Sequence, residues 1–393
     1  KPSLWDSEAN RKKVIALWRK LAQRYANEPF IGGYDIINEP NWGFDDPLDT
    51  KGTKEKSNKP LRTLMTEITA AIREVDKKHI IIIEGNGFGN NYNGIFPLWD
   101  DNIVVSFHKY GNFNTKASIQ NLLNWQDQYN VPLWLGESGE NSNTWFTEAI
   151  QLVETRNIGW CWWQLKKMGI SNPLEIKETP SYQLLLDYWL KNGRKPSPEE
   201  AQAALNEWLE NIKIRNNIYH RDVIDAMFRQ VSSAQAIPFK KHDITNGAVI
   251  NAVDFDLGRN GSAYKDNDTC SYHYVSPPVS TTGNRGRAYR NDGVDIQEDS
   301  LGYEVFSIED GEWLQYTVDV VTPGVYDIAF VMAPGSNEGR LSLLCNDKPV
   351  AADVAVNSTV VIKNIQLKAG QQQLRVLADK GGFNFTQMRF VRP

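Results

Sequence analysis

Two glutamates that end apolar runs could form a catalytic pair. Glu39 ends the run over residues 31–39, and Glu137 ends the run over residues 131–137. Parallel barrels keep their chemistry at the carboxyl ends of their strands, so both carboxylates are candidates for one site. Two carboxyl groups that face one gap can cleave a glycosidic bond. We therefore interpret Glu39 as the acid/base and Glu137 as the nucleophile. The alternative for each is a structural role, as a carboxylate at the N-terminus of the following helix.

Three polar side chains near other strand ends could support these glutamates. Asn38 directly precedes Glu39 and could bond the sugar 2-hydroxyl group, a contact that strengthens in an oxocarbenium-like transition state. His108 and Tyr110 lie two positions apart at a predicted strand end, so they share one strand face. Tyr110 could donate to Glu137, and His108 could contact the substrate or orient Tyr110. A satisfied core position is the alternative for the histidine.

Aromatic side chains at strand ends could stack on sugar rings. Alternation along residues 159–163 places Trp163 on the face of Cys161, which we expect to be a small buried residue. Trp163 could then form the floor under the sugar that is cut, and Trp42 could form a further platform; core packing is the alternative for both. Glu84 also ends a strand but lacks neighbouring Asn and Tyr residues, so we interpret it either as structural or as a residue that supports the site residues without contacting the substrate.

The elements that must position these residues alternate along the first half of the chain. Near-continuous apolar runs, typical of strands buried on both faces, cover residues 31–38, 80–84, 103–108, 131–136 and 158–163. Stretches with helical periodicity cover residues 7–25, 61–77, 116–128, 144–156 and 181–191. This alternation predicts parallel β/α units. Period-two alternation also predicts that Glu137 shares a strand face with Leu133 and Leu135.

The second half of the chain has a different texture. A break at residues 196–198 precedes two charged, amphipathic stretches within residues 199–230, and short alternating runs separated by turn residues follow from residue 237. We expect an α/β domain over residues 1–195, a helical connector over 196–236 and an all-β domain over 237–393. The first would be a partial (β/α)8 TIM barrel of about five units without its first three strands, with a doubly wound sheet as the alternative. The last would be an antiparallel β-sandwich of jelly-roll type.

Composition excludes several classes of partner. The net charge is −5 and no basic cluster occurs, so we expect no nucleic acid partner. No apolar run is long enough to span a membrane. Three cysteines cannot all pair within the chain; Cys270 and Cys345 could form a disulfide, and the sequence does not decide this.

The motifs of the first half resemble one known family. Their order along about residues 1–190 is Asn38-Glu39-Pro40, His108-Lys109-Tyr110, Gly136-Glu137-Ser138 and Trp162-Trp163. This series on successive strand ends resembles glycoside hydrolase family 5, the cellulase-type barrels. The resemblance implies an eight-stranded barrel and a retaining double displacement by Glu39 and Glu137, and it assigns supporting positions to Asn38, His108, Tyr110 and Trp163. The Arg and His that the family uses from early strands have no counterpart.

Residues 237–393 resemble a carbohydrate-binding module of family 6. The matching stretches are residues 253–258, 289–296, 309–316 and 382–384. The resemblance implies that Tyr289 and Asn384 are an aromatic and an amide of the main sugar cleft, whose second aromatic has no match near residues 356–358. It also implies a structural Ca²⁺, although Asn251 and Val253 stand where the family has glutamates.

These resemblances together predict a fragment of a secreted or cell-surface, modular retaining β-glycanase. Its substrate would be β-1,4-glucan or a related plant cell-wall glycan. Catalysis would need no metal or cofactor, because two carboxylates suffice. A signal peptide would precede the residues of this chain. The alternative is a non-catalytic glycan-binding protein whose partial barrel is inactive, and the oligomeric state is left open.

Overall fold

The structure is a computed structural model that describes residues 3–46, 48–279, 283–299, 302–334 and 338–393. The chain divides into two compact units, residues 1–138 with 152–163 and residues 139–151 with 164–393. Within the described ranges, no helix combines the length and the apolarity that crossing a membrane requires. The boundaries predicted at residues 195 and 236 stay predictions.

The first unit consists of alternating helices and short strands. Its helices are α1 Glu8–Tyr25, α2 Lys59–Arg73, α3 Asn86–Gly89, α4 Gln120–Tyr129 and the end of α5 Asn143–Glu154. Its strands are β1 Gly33–Asp35, β2 Ile80–Glu84, β3 Ile103–Lys109, β4 Leu133–Ser138 and β5 Gly159–Trp160. Helix α1 begins where the Ser7 side chain accepts a hydrogen bond from the backbone nitrogen of Asn10, as expected of an N-cap residue.

The five strands form one parallel sheet in the order in which they occur along the chain. Right-handed crossovers that always step in the same direction place every helix on one face of the sheet, as in a (β/α)8 barrel. A doubly wound sheet would reverse its strand order and carry helices on both faces. The expectation of a partial barrel is therefore confirmed, and the doubly wound alternative is wrong.

The two faces of this sheet differ in burial. The helix face carries the buried core of the unit and includes Tyr34, Ile81, Val105 and Leu135. The opposite face, named the site face here, carries Asp35, Ile82, Glu84, Val104, Ser106, His108 and Trp134, as the strand register defines. On it Ile82, Val104 and Trp134 are only half-buried and Asp35 is exposed. Glu84, Ser106 and His108 on the same face are buried, so the prediction that both faces are buried holds for these three residues and is wrong for the other four.

The cysteines also differ from expectation. Cys161 is exposed rather than buried. It follows Trp160, which pairs with Leu135 on the helix face, so alternation directs Cys161 to the less covered face of the sheet. No disulfide joins Cys270 and Cys345, both of which lie in described residues.

The second unit begins with helices and a small sheet. Helices α6 to α9 cover Pro180–Trp189, Pro198–Asn211, Arg221–Met227 and Arg229–Ser232, and a three-stranded sheet contains β6 Lys166–Lys167, β7 Leu174–Glu175 and β8 Ile218–Tyr219. Helix α7 starts with a complete capping box, in which the Ser197 side chain accepts from the Glu200 backbone and the Glu200 side chain accepts from the Ser197 backbone. The helical stretches predicted within residues 199–230 are thus present.

The remainder of the second unit is a β-sandwich. Its strands, β9 to β20, cover Asp243–Ile244, Val249–Asn251, Tyr264–Lys265, Ile296–Asp299, Gly302–Val305, Trp313–Val320, Gly324–Met332, Arg340–Cys345, Lys348–Ala355, Thr359–Leu367, Gly370–Lys380 and Phe385–Val391. One sheet has the order β12-β13-β20-β15-β18 with β10 beside β20, and the other has the order β11-β14-β19-β16-β17 with β9 beside β14. Side chains from both sheets, such as Tyr316 and Phe330, form one buried cluster. The predicted C-terminal sandwich is confirmed.

Candidate active site

A β-bulge at Gly136 brings Glu137 onto the site face. Phe107 pairs with Leu135, but the next residue, His108, pairs with Glu137, so strand β4 has one extra residue. A Cβ atom at position 136 would lie 2.1 Å from the Ser106 Oγ, so any residue other than glycine would have to displace that hydroxyl group. The prediction that Glu137 shares the face of Leu133 and Leu135 is therefore wrong, because the inserted residue reverses the alternation.

Glu39 lies in the loop after β1, in a strained backbone conformation. Its φ of 46° falls in the left-handed region, which residues other than glycine adopt uncommonly. Such a conformation costs on the order of 1–3 kcal/mol and persists where surrounding contacts impose it. The backbone nitrogen of Glu39 donates to Oε2 of Glu84 over 2.6 Å. Glu84, at the end of β2, thus helps to fix the position of Glu39.

The structure brings Glu39 and Glu137 together around His108. One ligand atom from each of the three side chains lies within 4.8 Å of the other two. The His108 Nδ1 is 2.8 Å from Oε1 of Glu39 and 3.9 Å from Oε1 of Glu137. The side chains of Glu39 and Glu137 are 30% and 17% exposed, so solvent reaches both. Two carboxyl groups at this separation can act on the same bond.

The imidazole of His108 is held in its charged form. Burial alone would lower its pKa, but hydrogen bonds to Glu84 and Glu39 and the charge of Glu137 outweigh burial and raise the pKa to about 9. His108 therefore donates from both ring nitrogens at neutral pH, to Glu39 and, over 3.2 Å, to Oε1 of Glu84. A protonated imidazole has no lone pair for a metal, so this ring favours a hydrogen-bonded network over a cation site.

Tyr110 contacts the other glutamate. Its hydroxyl group donates to Oε1 of Glu137 over 2.7 Å. The structure thus gives each glutamate its own partner, His108 for Glu39 and Tyr110 for Glu137.

One site residue was missed from the sequence, and another was assigned only in part. Glu84 contacts both Glu39 and His108, which agrees with the supporting role left open for it, whereas Asp35 was not singled out. Asp35 lies beside Glu84 on the site face; although its side chain is exposed, loss of hydration and repulsion from Glu84 raise its pKa to about 8. The signal for Asp35 was a carboxylate inside an otherwise apolar run.

The predicted aromatic platforms are accessible. Trp163 is 43% exposed, and its backbone nitrogen donates to the carbonyl oxygen of Ser138, next to Glu137. Trp42 is 36% exposed, and its backbone donates to and accepts from the buried side-chain amide of Asn86. Asn38 is exposed beside Glu39. Each of these side chains can be reached from solvent, as sugar contact requires.

The predicted cleft residues of the β-sandwich make polar contacts of their own. The Tyr289 hydroxyl group donates to Asp254, and its ring lies 4.8 Å from that of Tyr303. The Asn384 amide donates to Oε1 of Glu304 over 2.9 Å. Glu304 is buried and follows Tyr303 in strand β13, so alternation directs these two side chains to opposite faces of the strand.

The positions that the family 6 resemblance assigns to Ca²⁺ do not fit that ion. The Asn251 amide donates to Asp254, and Val253 is buried and has no side-chain oxygen. Calcium prefers carboxylate and carbonyl oxygens, and these two side chains supply no carboxylate.

Comparison with known families identifies both parts of the chain. Residues 3–169 match the model of Cellulase (glycosyl hydrolase family 5), and residues 287–392 match that of Carbohydrate binding module (family 6). The chain joins a family 5 domain to a family 6 module. Glu39, His108, Tyr110, Glu137 and Trp163 all lie within the family 5 domain.

Individual relatives cover only parts of the chain. A beta-xylosidase of Phanerodontia chrysosporium is 23% identical over 228 residues, which are 48% of this chain and 45% of that protein. Endoglucanase C of Acetivibrio thermocellus is 30% identical over 113 residues, 28% of this chain and 29% of that protein. The chain thus spans less than half the length of these curated relatives. Among solved structures, endoglucanase Cel5A of Thermotoga maritima has a TM-score of 0.34 at 21% identity, covering 41% of this chain and 61% of that one.

Proposed function

We propose that the family 5 domain hydrolyses β-1,4-glucan by a retaining double displacement, with Glu39 as acid/base and Glu137 as nucleophile. One observation carries this proposal: oxygens of the two carboxylates lie within 4.8 Å of each other, with both side chains reachable from solvent. Retaining enzymes hold their two carboxyl groups about 5–5.5 Å apart, whereas inverting enzymes hold them at about 6.5–9.5 Å to admit a water molecule. The short separation supports retention.

In the first step, Glu137 attacks the anomeric carbon while Glu39 protonates the leaving glycosidic oxygen. The bond from the anomeric carbon to that oxygen breaks, and a bond to a Glu137 oxygen forms. Tyr110 donates to Oε1 of Glu137 and so keeps that carboxylate in one orientation. Asn38 would bond the 2-hydroxyl group, and Trp163 and Trp42 would stack on the sugars.

In the second step, Glu39 removes a proton from a water molecule, which displaces Glu137 from the anomeric carbon. Two inversions restore the original configuration, and Glu39 regains the proton that it gave up. No cofactor is needed in either step. His108 contacts Oε1 of Glu39 over 2.8 Å and would hold that carboxyl group in place during both steps.

The choice of β-1,4-glucan rests on the names of relatives, several of which are endoglucanases. The family 6 module supports a polysaccharide substrate, and we propose that Tyr289 and Asn384 contact it. We also propose that the protein is secreted, since a polysaccharide such as β-1,4-glucan is too large to enter a cell and is degraded outside it.

The test uses the full chain with carboxymethylcellulose and cello-oligosaccharides. Wild-type protein should release reducing ends, and NMR of the fresh product should show the β-anomer first. Glu137→Gln should abolish turnover while leaving retention on the polysaccharide intact. Glu74→Gln, at an exposed glutamate paired with Arg19, is the matched control and should keep full activity. Turnover by Glu137→Gln, or the α-anomer as first product, would refute the mechanism. Retention without any turnover by wild type would favour the non-catalytic glycan-binding alternative.

A further inference from the structure

Glu84 takes no part in the double displacement, yet its carboxylate lies directly behind the proposed acid/base. It ends strand β2 and is 1% exposed, so no sugar can reach it. A buried carboxylate is costly unless other groups bond to it. Its partners therefore indicate why this position carries a carboxyl group.

The first partner is the backbone of Glu39. Its nitrogen donates to Oε2 of Glu84 over 2.6 Å, a short distance typical of a charge-assisted hydrogen bond. Glu39 has a positive φ, so this bond holds a backbone that would otherwise relax to another conformation. The contact fixes where the Glu39 side chain begins.

The second partner is His108, which continues to the carboxylate of Glu39. Oε1 of Glu84 is 3.2 Å from Nε2 of His108, and Nδ1 of the same ring is 2.8 Å from Oε1 of Glu39. Glu84 therefore contacts Glu39 twice, directly at its backbone nitrogen and through His108 at its carboxylate, and these contacts form a closed hydrogen-bonded network. The contact through His108 fixes the position of the Glu39 carboxylate.

Other titratable groups lie near this hydrogen-bonded network without completing it. Asp35 of β1 lies beside Glu84 and interacts with its charge, and Glu137 of β4 lies 3.9 Å from the Nδ1 of His108. Glu137 has Tyr110 as its own donor. Among these groups, only Glu84 contacts both the backbone of Glu39 and Nε2 of His108, the imidazole nitrogen that does not contact Glu39.

We propose that Glu84 is the positioning residue of the acid/base, holding Glu39 through its backbone nitrogen and through His108. This inference rests on the proposed function, since it concerns how the acid/base of that reaction is oriented. A carboxylate misplaced by about 1 Å loses on the order of 10²-fold in rate, so removal of the network should affect proton donation far more than substrate binding.

The test compares two kinds of substrate, cello-oligosaccharides and 2,4-dinitrophenyl cellobioside, which differ in whether their leaving group must be protonated. Loss of an unactivated sugar leaving group requires a proton from Glu39, whereas 2,4-dinitrophenolate leaves without one. Glu84→Gln should lower kcat/KM on cello-oligosaccharides about 10–100-fold and on the dinitrophenyl glycoside less than about threefold. Glu84→Asp keeps the carboxyl group, and its kcat/KM on cello-oligosaccharides should lie between that of the wild type and that of Glu84→Gln. Glu55→Gln is the matched control, because Glu55 is also a buried glutamate that accepts from loop backbone nitrogens, those of Phe44 and Asp45.

A second readout is independent of turnover. The chain has five histidines, so NMR can follow the titration of His108 alone. Glu84→Gln should lower the pKa of His108 by at least about one unit, and Glu55→Gln should not change it. Equal losses on both substrates, or an unchanged His108 titration, would overturn the inference. A wild-type chain that cleaves neither substrate would refute the proposed function instead, and the titration would then decide alone whether Glu84 holds His108.

Discussion

Replacing Tyr110 by phenylalanine should slow the release of sugar from Glu137. The Tyr110 hydroxyl group donates to Oε1 of Glu137 over 2.7 Å. In the proposed covalent intermediate Glu137 is a neutral ester, and negative charge returns to its oxygens as water displaces it. The hydrogen bond from Tyr110 therefore strengthens in this step, and its loss raises the barrier to deglycosylation.

The size of the effect follows from the change in charge on the acceptor. A hydrogen bond to a charged group contributes about 1.5–3 kcal/mol, and one to a neutral group contributes about 0.5–1.5 kcal/mol. The difference of about 1–1.5 kcal/mol corresponds to about a five- to thirteen-fold change in rate. During glycosylation the charge leaves Glu137 instead, so the first step loses no comparable stabilisation. Tyr110→Phe should therefore lower the deglycosylation rate about tenfold and kcat/KM less than about threefold.

The assay uses 2,4-dinitrophenyl cellobioside, for which the fast first step leaves deglycosylation rate-limiting. For Tyr110→Phe, kcat and KM should fall together about tenfold, because the covalent intermediate accumulates. Tyr34→Phe is the matched control, since the Tyr34 hydroxyl group donates to Oδ2 of Asp76 over the same 2.7 Å but lies on the helix face. A fall in kcat/KM as large as that in kcat, or the same kinetic split in Tyr34→Phe, would refute the reasoning.

Two further predictions concern stability. Gly136→Ala places a methyl group 2.1 Å from the Ser106 Oγ, so it should lower the free energy of unfolding by about 1–3 kcal/mol and reduce both Tm and turnover. Gly32→Ala is the control, because no atom lies within 4 Å of the added methyl group, and it should change neither Tm nor turnover. Equal behaviour of the two variants would contradict the account of the bulge. The pKa of His108 is raised in the folded state to about 9 from an ordinary value near 6.5, so its contribution of roughly 3 kcal/mol is fully present below pH 6.5 and is lost as the pH rises through 9. Urea unfolding between pH 6 and pH 10 should show this loss for the wild type and a flatter profile for His108→Gln; parallel profiles would argue against it.

The position of the two glutamates at strand ends and the succession of strands and helices along the chain could be predicted because both depend on local pattern. Apolar runs of strand length that alternate with amphipathic stretches predict parallel units, and a carboxylate after such a run predicts a position at the sheet edge. The structure has strands at Ile80–Glu84, Ile103–Lys109 and Leu133–Ser138, close to the predicted ranges. These features need no knowledge of which strands are neighbours.

The contacts around Glu84 could not be predicted, because they depend on register between strands. Glu84 pairs with Ser106, two positions before His108, and Asp35 pairs with Ile82, two positions before Glu84. A shift of one residue in either pairing would direct Asp35 or His108 to the opposite face. The sequence shows each charged residue but not the alignment that brings them together.

The bulge at Gly136 has the largest chemical consequence of any such local irregularity in the described strands of the first unit. Without the extra residue, period-two alternation would continue from Leu133 and Leu135 and place Glu137 in the apolar core of the helix face. An ionised carboxylate there would lack polar partners and would be strongly disfavoured. The insertion instead sets Glu137 opposite His108, within hydrogen-bond reach of Tyr110 and near Glu39. The pairing of the two glutamates thus depends on one glycine that the alternation of apolar residues cannot reveal, and the instability expected of Gly136→Ala follows from the same contact with Ser106 that keeps this position open.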